Sequence, residues 1–343
     1  MPEFDFLSKI NIFNQSLAEQ IDVLNSFWEK AAKTLSNSDI RLRALPDSWK
    51  TLRHNYFSVL FIAMFHALNI PPRRRCLFAR LNHCLRCWVT ACDNLLDDEL
   101  KELILTDLPE TAPVFKSVLT LLVTDRVFFS YLLDAVDDGI ISPAEMHLLN
   151  DHSLDSILVS GKEEAQEEGG VDYALSPDEV LDKIHSAKTG QLFTAPLSAP
   201  VALGDLDPEA PIVKKAMDGL MQLGIGCQVL DDLSDLAMDI HDRKYNYLAA
   251  LILHGDDTVE KKQLDRYLSV SLEKSFRNRF DLYTEFPVAA GHALKIALGR
   301  LSTAVSLLRG AGLPMDSESR KDFIGHLAEL YGQPQALILL RDR

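Results

Sequence analysis

Residues 223–239 read LGIGCQVLDDLSDLAMD and place a cluster of aspartates inside a continuous apolar, helix-forming sequence. Apolar residues flank the acids on both sides, so we expect the carboxylates to line a buried cavity, where unpaired negative charges are costly without a counter-ion. The stretch therefore predicts a cation site on a long helix. The polar side chains that share one helical face are Asp231, Asp232 and Asp235, with Gln228 and Asp239 a turn away on either side.

A second acidic cluster lies at residues 93–99, DNLLDDE. A helix places Asp93 and Asp97 on one face because they are four residues apart, and Asp98 follows directly. A solvated acidic face is the alternative, since the chain has 50 acidic and 35 basic residues. Carboxylates are also the ligands that Mg²⁺ uses at phosphate sites. We expect the two clusters to hold a diphosphate through Mg²⁺, with Asp93, Asp97, Asp98, Asp231, Asp232 and Asp235 as ligands.

Composition limits the class of protein. The net charge of −15 and the lack of a basic stripe beyond residues 73–75 argue against nucleic-acid binding. No stretch reaches the roughly 18 uninterrupted apolar residues of a membrane span, so no transmembrane segment is expected. The N-terminal sequence lacks the order of a signal peptide, and the cytoplasm is the expected compartment.

Helical periodicity dominates the whole chain, and no alternating strand pattern stands out. We expect an all-α protein, a single domain over residues 1–343 with roughly ten to thirteen helices around a central cavity. The polar stretch 161–170, GKEEAQEEGG, is interpreted as an exposed loop. The predicted helices are 16–35, 50–70, 76–100, 114–136, 143–160, 177–193, 210–240, 244–254, 262–276, 286–309 and 319–331.

Two further patterns are typical of metal sites, but each also has a structural interpretation. Cys84 and Cys87 form a lone Cys-x-x-Cys within a helical run, where they are expected to pack as small apolar residues rather than to bind zinc. Residues 134–145 match much of a calcium-binding loop, although Val136 occupies a ligand position. We favour a turn followed by a helix that Ser142 caps.

The chain resembles the trans-isoprenyl (polyprenyl) diphosphate synthases of the class I isoprenoid synthase type. The similarity covers roughly residues 45–250. Residues 168–193 carry the Lys-Thr pair, and residues 223–235 carry the second aspartate-rich motif with its Gln. Residues 93–97 occupy the place of the first motif, with Asn94 replacing an aspartate. Residues 50–54, KTLRH, match the family's acceptor-binding stretch at its Lys and second Arg.

The resemblance implies an Mg²⁺-dependent prenyltransferase that ionises an allylic diphosphate and condenses it with isopentenyl diphosphate. It also implies a homodimer. The catalytic residues would be Asp93, Asp97, Asp231, Asp232 and Lys188. The substrate-binding residues would be Lys50, Arg53, Arg86, Lys188, Thr189, Gln228 and Lys244. Trp88 and Val89, just before the first motif, would form the floor of the product tunnel and favour a short-chain product.

The chain also departs from this pattern. Residues 99–106 offer only Lys101 where the family carries an Arg-Arg-Gly, and the spacing from Gln228 to Lys244 is similar to the squalene and phytoene synthase branch. A terpene cyclase, a head-to-head synthase and a non-catalytic partner subunit of a heteromeric synthase therefore remain as alternatives.

Overall fold

The structure is a computed structural model that describes residues 10–97, 100–171, 175–270 and 282–341. Helices dominate these residues, which contain no β-strand beyond one isolated bridge between Leu42 and Thr106. The all-α prediction is therefore confirmed. The helices are α1 Asn11–Leu35, α2 Tyr56–Ala67, α3 Pro72–Leu96, α4 Pro113–Asp137, α5 Pro143–Glu167, α6 Pro177–Glu179, a π-helix Val180–Gly190, α7 Gln191–Thr194, α8 Ser198–Ala202, α9 Pro211–Asp242, α10 Tyr247–His254, α11 Thr258–Val270, α12 Leu282–Glu285, α13 Pro287–Gly310, α14 Ser317–Leu330 and α15 Ala336–Arg341; short 3₁₀ turns lie at Asp47–Lys50 and Ala195–Leu197.

Most of the predicted helices form, and their starts follow local chemistry. Proline occupies the first turn of α3, α4 and α13, where its missing N–H costs no intrahelical bond. Ser142 and Glu145 cap α5 reciprocally, with the Ser142 amide donating to Glu145 Oε2 at 2.7 Å. Asp134 pairs with Lys30, so the calcium-loop pattern is the predicted turn and helix start.

Several boundaries differ from the prediction, and three of them bear on the predicted site. The 161–170 loop is wrong up to Glu167, because α5 continues through that residue. The helix predicted from residue 50 begins only at Tyr56, and the one predicted from 244 begins at Tyr247. Residues 271–276 of a predicted helix lie outside the described residues.

The residues group into two compact units. The first comprises 1–157, 196–213 and 312–314, and its core lies between α1, α3 and α4. Cys84 and Cys87 are fully buried there, and burial raises the pKa of the Cys87 thiol to about 12. Both cysteines therefore remain neutral thiols that pack among apolar side chains.

The second unit comprises 158–195, 214–311 and 315–343. Its core is built on α9, α10, α13 and α14, with Leu223, Leu230 and Leu301 fully buried. The single-domain prediction stays a prediction. In the described part of the chain, no helix is both long and apolar enough to pass through a membrane.

Candidate active site

The Lys188-Thr189 pair lies on a π-helix that packs closely against α9. The amide of Gln191 donates to the carbonyl of Ser186, five residues earlier, which is the wider π spacing. Gly224 on α9 faces the backbone of Thr189, and a Cβ at Gly224 would clash with the Thr189 carbonyl. The glycine thus permits the close approach that brings the Lys-Thr pair to the second acidic cluster.

Side-chain hydrogen bonds connect Thr189 to that cluster. The Thr189 hydroxyl makes a short hydrogen bond to Oε1 of Gln228. The Gln228 amide nitrogen lies 3.4 Å from Asp231 Oδ2 and 3.3 Å from Asp232 Oδ1. Three predicted site residues, Thr189, Gln228 and Asp231, therefore belong to one network in the second unit.

Asp232 is the most buried carboxylate of the second acidic cluster. Its side chain is 3% exposed, and Oδ2 lies 3.0 Å from Nε2 of His185 and accepts the Tyr247 amide at 2.5 Å. Oδ1 accepts from Gln228. Because both oxygens already have partners inside the protein, Asp232 ties α9 to the π-helix and to α10. Its predicted role as a metal ligand and catalytic residue stays a prediction, and the contacts show that Asp232 also positions its neighbours.

Lys188 contacts two glutamates that the sequence reasoning missed. Its Nζ lies 2.7 Å from Glu164 Oε1 and 3.5 Å from Glu167 Oε1. Burial alone would lower the pKa of Lys188, but the two carboxylates outweigh it and raise that pKa. The continuation of α5 through Glu167 supplies both carboxylates. The i, i+3 spacing of these acids was a usable signal, but the assumed loop concealed it.

Glu167 is the more deeply buried of the two partners. Its side chain is 1% exposed, and its Oε2 has no hydrogen-bond partner among the residues that the structure describes. Burial raises the pKa of Glu167, while the charges of Lys188 and Lys244 oppose that rise. Lys188 is therefore the principal counter-charge of a carboxylate that has little access to water.

Asp239 extends the acidic face of α9 towards Lys244. The Lys244 amide donates to the Asp239 carbonyl at 2.8 Å, and Asn246 Nδ2 donates to Asp239 Oδ2 at 2.7 Å. Burial raises the pKa of Asp239 well above its usual range, and the negative charge of Asp232 adds to the shift. Asp239 therefore lies in a buried position beside another carboxylate, where its charged form is disfavoured.

The first cluster lies at the C-terminal end of α3. Asp93 is in the last turn, and the amide of Asp97 closes that turn by donating to the Asp93 carbonyl at 2.8 Å. The last turn has no basic residue, so both carboxylates add to the negative end of the helix dipole. Asp98, predicted as a third ligand, lies outside the described residues.

Asn94 explains why this cluster has an amide in place of an aspartate. Its Oδ1 accepts the Lys101 amide at 2.8 Å and its Nδ2 donates to the Lys101 carbonyl at 3.1 Å. A carboxylate has no hydrogen to donate, so only an amide makes both bonds. Asn94 is buried and therefore fastens the segment after the cluster instead of binding a ligand.

The predicted acceptor residues lie in the first unit, in and beside the turn that precedes α2. Lys50 pairs with the exposed Asp47 at 3.1 Å, and Arg53 is exposed in the turn. The Arg86 guanidinium reaches this turn and donates to the His54 carbonyl at 3.3 Å. Within the described ranges Arg86 makes no ion pair with a carboxylate, and burial lowers its pKa. A partly buried guanidinium without a counter-charge favours an anion.

Trp88 and Val89 lie on α3 a little more than a turn before Asp93. Both are partly buried, and the Trp88 ring lies 4.9 Å from the Phe128 ring, centroid to centroid. Trp88 thus packs against the core of the first unit. Its role in product length stays a prediction.

The carboxylates present fit Mg²⁺ bound together with a phosphate. Among the residues that the structure describes, no three His, Cys, Asp or Glu side chains form a metal cage by themselves. Mg²⁺ commonly takes only one or two protein carboxylates and completes its shell with phosphate oxygens and water. The pairs Asp93–Asp97 and Asp231–Asp235 each supply two partly exposed carboxylates one helical turn apart.

Comparison with solved structures identifies the fold. The chain is similar to a decaprenyl diphosphate synthase from Rhodobacter capsulatus, at 19% identity and a TM-score of 0.62, over 93% of this chain and 98% of that one. The chain has the polyprenyl synthase fold. A polyprenyl synthase from Caulobacter crescentus CB15, complexed with calcium and isoprenyl diphosphate, is similar at 16% identity and a TM-score of 0.64, over 96% and 98% of the two chains.

A geranylgeranyl pyrophosphate synthetase from Pyrococcus horikoshii has the same polyprenyl synthase fold, at 19% identity and a TM-score of 0.55, over 95% of this chain and 96% of that one. No protein-family model and no curated protein sequence matches this chain. The fold implied by the sequence resemblance is thus confirmed by structure.

Proposed function

We propose that this protein is an Mg²⁺-dependent prenyltransferase that joins an allylic diphosphate to isopentenyl diphosphate and forms a short-chain prenyl diphosphate. The observation that carries the proposal is the network from Thr189 through Gln228 to Asp231. This network, next to Lys188 in the sequence, supports a diphosphate site in a chain with the polyprenyl synthase fold. A site for a metal-bound diphosphate needs these groups.

The proposed metal ligands are carboxylates of the two acidic clusters, and the Lys-Thr pair is the proposed contact for the allylic diphosphate. Asp93, Asp97, Asp231 and Asp235 would hold Mg²⁺, which neutralises the charge of the leaving diphosphate when it is bound. Lys188 and Thr189 bind the diphosphate oxygens, and Lys244 adds positive charge. Glu164 and Glu167 hold Lys188 in place until the substrate binds.

The chemistry follows from charge stabilisation. When the leaving diphosphate is stabilised, its bond to the allylic carbon breaks and leaves a carbocation on the hydrocarbon. The double bond of isopentenyl diphosphate then attacks this cation, and the diphosphate released in the first step takes up the proton that is lost. Apolar side chains exclude the water that would otherwise capture the cation.

The acceptor half distinguishes condensation from cyclisation. We assign the diphosphate of isopentenyl diphosphate to Arg86 and Arg53, with Lys50 at the end of the same turn. The support is the lack of a carboxylate partner for Arg86 among the described residues, combined with its contact to the His54 carbonyl. A cyclase has no second diphosphate to bind, so it has no use for this cationic turn.

The proposed enzyme is a homodimer that associates through α4. This helix exposes a stripe of large apolar side chains: Val114, Phe115, Leu122, Phe129 and Leu133. Phe115, Leu122 and Phe129 are spaced by seven residues and therefore lie on one side of the helix. Leu122→Lys combined with Phe129→Lys should produce a folded monomer by analytical ultracentrifugation. An unchanged sedimentation coefficient would place the dimer interface elsewhere.

Product analysis tests the proposal. The purified protein is incubated with dimethylallyl, geranyl or farnesyl diphosphate, each with and without isopentenyl diphosphate, in Mg²⁺ or EDTA, and the products are measured by mass spectrometry. We expect prenyl diphosphates lengthened by isoprene units only when both substrates and Mg²⁺ are present. Cyclic or head-to-head products from the allylic substrate alone would assign the chain to another reaction.

A further inference from the structure

A cavity in the second unit lies between α13, α10 and the start of the π-helix. Its volume is about 580 Å³, within the range of small-molecule sites. One face of α13 contributes His292, Lys295, Ile296 and Arg300, spaced so that they point to the same side. None of the residues assigned to the proposed prenyl transfer lines this cavity.

The cavity is basic although the chain is strongly acidic. His292, Lys295 and Arg300 line it together with a single carboxylate, Asp178, in a chain of net charge −15. In the part of the chain that the structure describes, neither His292 nor Lys295 makes an ion pair. Arg300 donates to the Gln222 side chain at 2.9 Å, a neutral partner that leaves its charge uncompensated.

The remaining walls are largely apolar, and the hydroxyl groups of Tyr247 and Thr303 are the further polar groups of the lining. Leu181, Leu251 and Ile296 line the cavity beside the ring of Tyr247. The Tyr247 phenol carries an O–H group that can donate a hydrogen bond to an anion.

We propose that this cavity binds a phosphate monoester carried on a short hydrocarbon stem. Arg300, Lys295 and His292 contact the phosphate, and the leucines and Ile296 cover the stem. Guanidinium and ammonium groups suit phosphate oxygens. Tyr247 links the cavity to the second acidic cluster because its amide also holds Asp232.

Isothermal titration calorimetry at pH 7 in EDTA tests the proposal without relying on catalysis. The probes are hexyl phosphate, inorganic phosphate and hexanol, and EDTA removes the metal that the proposed active site requires. We expect hexyl phosphate to bind at least tenfold more tightly than either fragment. Equal affinity for hexyl phosphate and inorganic phosphate, or no binding of hexyl phosphate, would overturn the proposal.

Matched variants locate the binding. Lys295→Glu should weaken hexyl phosphate binding at least tenfold. Lys262→Glu makes the same charge change at an exposed lysine of α11 that does not line the cavity, and it should leave the affinity unchanged within about twofold. Lys188→Ala should also leave it unchanged. Binding that is lost in Lys188→Ala and kept in Lys295→Glu would assign the probe to the active site and refute this cavity.

Discussion

Replacing Lys188 with alanine removes the counter-charge of Glu167, and the structure sets the size of the effect. Removing one partner of a buried ion pair costs about 3–5 kcal/mol. This loss of unfolding free energy has an upper limit, because Glu167 can become protonated instead of remaining charged. Keeping a glutamate of ordinary pKa near 4.3 neutral at pH 7 costs about 3.7 kcal/mol. Glu167 is 1% exposed and Lys188 is 14% exposed, so little solvent screening applies. We expect Lys188→Ala to lose about 3 kcal/mol of unfolding free energy at pH 7.

The sign of the pH dependence follows from the same group. In Lys188→Ala the pKa of Glu167 is raised above its unfolded value, so its penalty is present at pH 7 and fades as the pH falls towards that unfolded value. At pH 5 the upper limit of the stability loss is about 1 kcal/mol. Urea unfolding followed by circular dichroism at both pH values measures the difference.

Two variants make this test specific. Adding Glu167→Gln to Lys188→Ala should recover about half of the lost stability, because the charge that needed compensation is gone. Lys183→Ala is the matched control, since Lys183 pairs with Glu179 in the same segment at 2.8 Å but is 62% exposed, and its loss should not be measurable. The reasoning would be refuted by equal effects of the two lysine variants, or by a loss in Lys188→Ala that does not shrink at pH 5.

Three further predictions concern single residues. Asp239→Asn should raise the melting temperature of the metal-free protein at pH 7, because a carboxyl whose folded pKa is raised destabilises the fold once the pH exceeds its unfolded pKa. Scanning fluorimetry measures the change. No gain in melting temperature, or a gain that grows as the pH falls towards 4, would contradict this prediction. Arg86→Ala should raise the apparent KM for isopentenyl diphosphate about tenfold and that for the allylic substrate much less, whereas equal effects in steady-state kinetics would make Arg86 structural. Trp88→Ala should lengthen the product by at least one isoprene unit by mass spectrometry; a folded, active variant with unchanged products would show that Trp88 serves only the core, where it packs on Phe128.

The helical fold was predictable because apolar residues recur at helical spacing throughout the chain. The ends of the helices were harder to predict from the sequence. A polar, glutamate-rich stretch is typical of an exposed loop when only the sequence is considered. In the structure α5 continues through Glu167, because Lys188 neutralises the last acidic turn of the helix. Only the folded chain brings these residues together, since 21 positions separate Glu167 from Lys188.

The candidate site was predictable by residue type and less so by role. Gln228 and Thr189 were each predicted to bind substrate, and the structure joins them by a hydrogen bond that the sequence did not indicate. Asp232 carries the same side chain as Asp231 but faces His185 and the Tyr247 amide, and a sequence motif does not reveal which side of a helix a partner will occupy. Asn94 looked like a degenerate aspartate, and its two bonds to Lys101 show instead why an amide is needed there.

Metal-dependent turnover of Asp231→Ala and Asp235→Ala tests the central claim most directly. With Mg²⁺, an allylic diphosphate and isopentenyl diphosphate, the wild-type protein should release an elongated prenyl diphosphate, while both variants stay folded and form none. Removing one carboxylate from a repulsive cluster should leave the metal-free melting temperature unchanged or higher. Undiminished Mg²⁺-dependent turnover in either variant would contradict the assignment of the second acidic cluster, and with it the proposed function of this site.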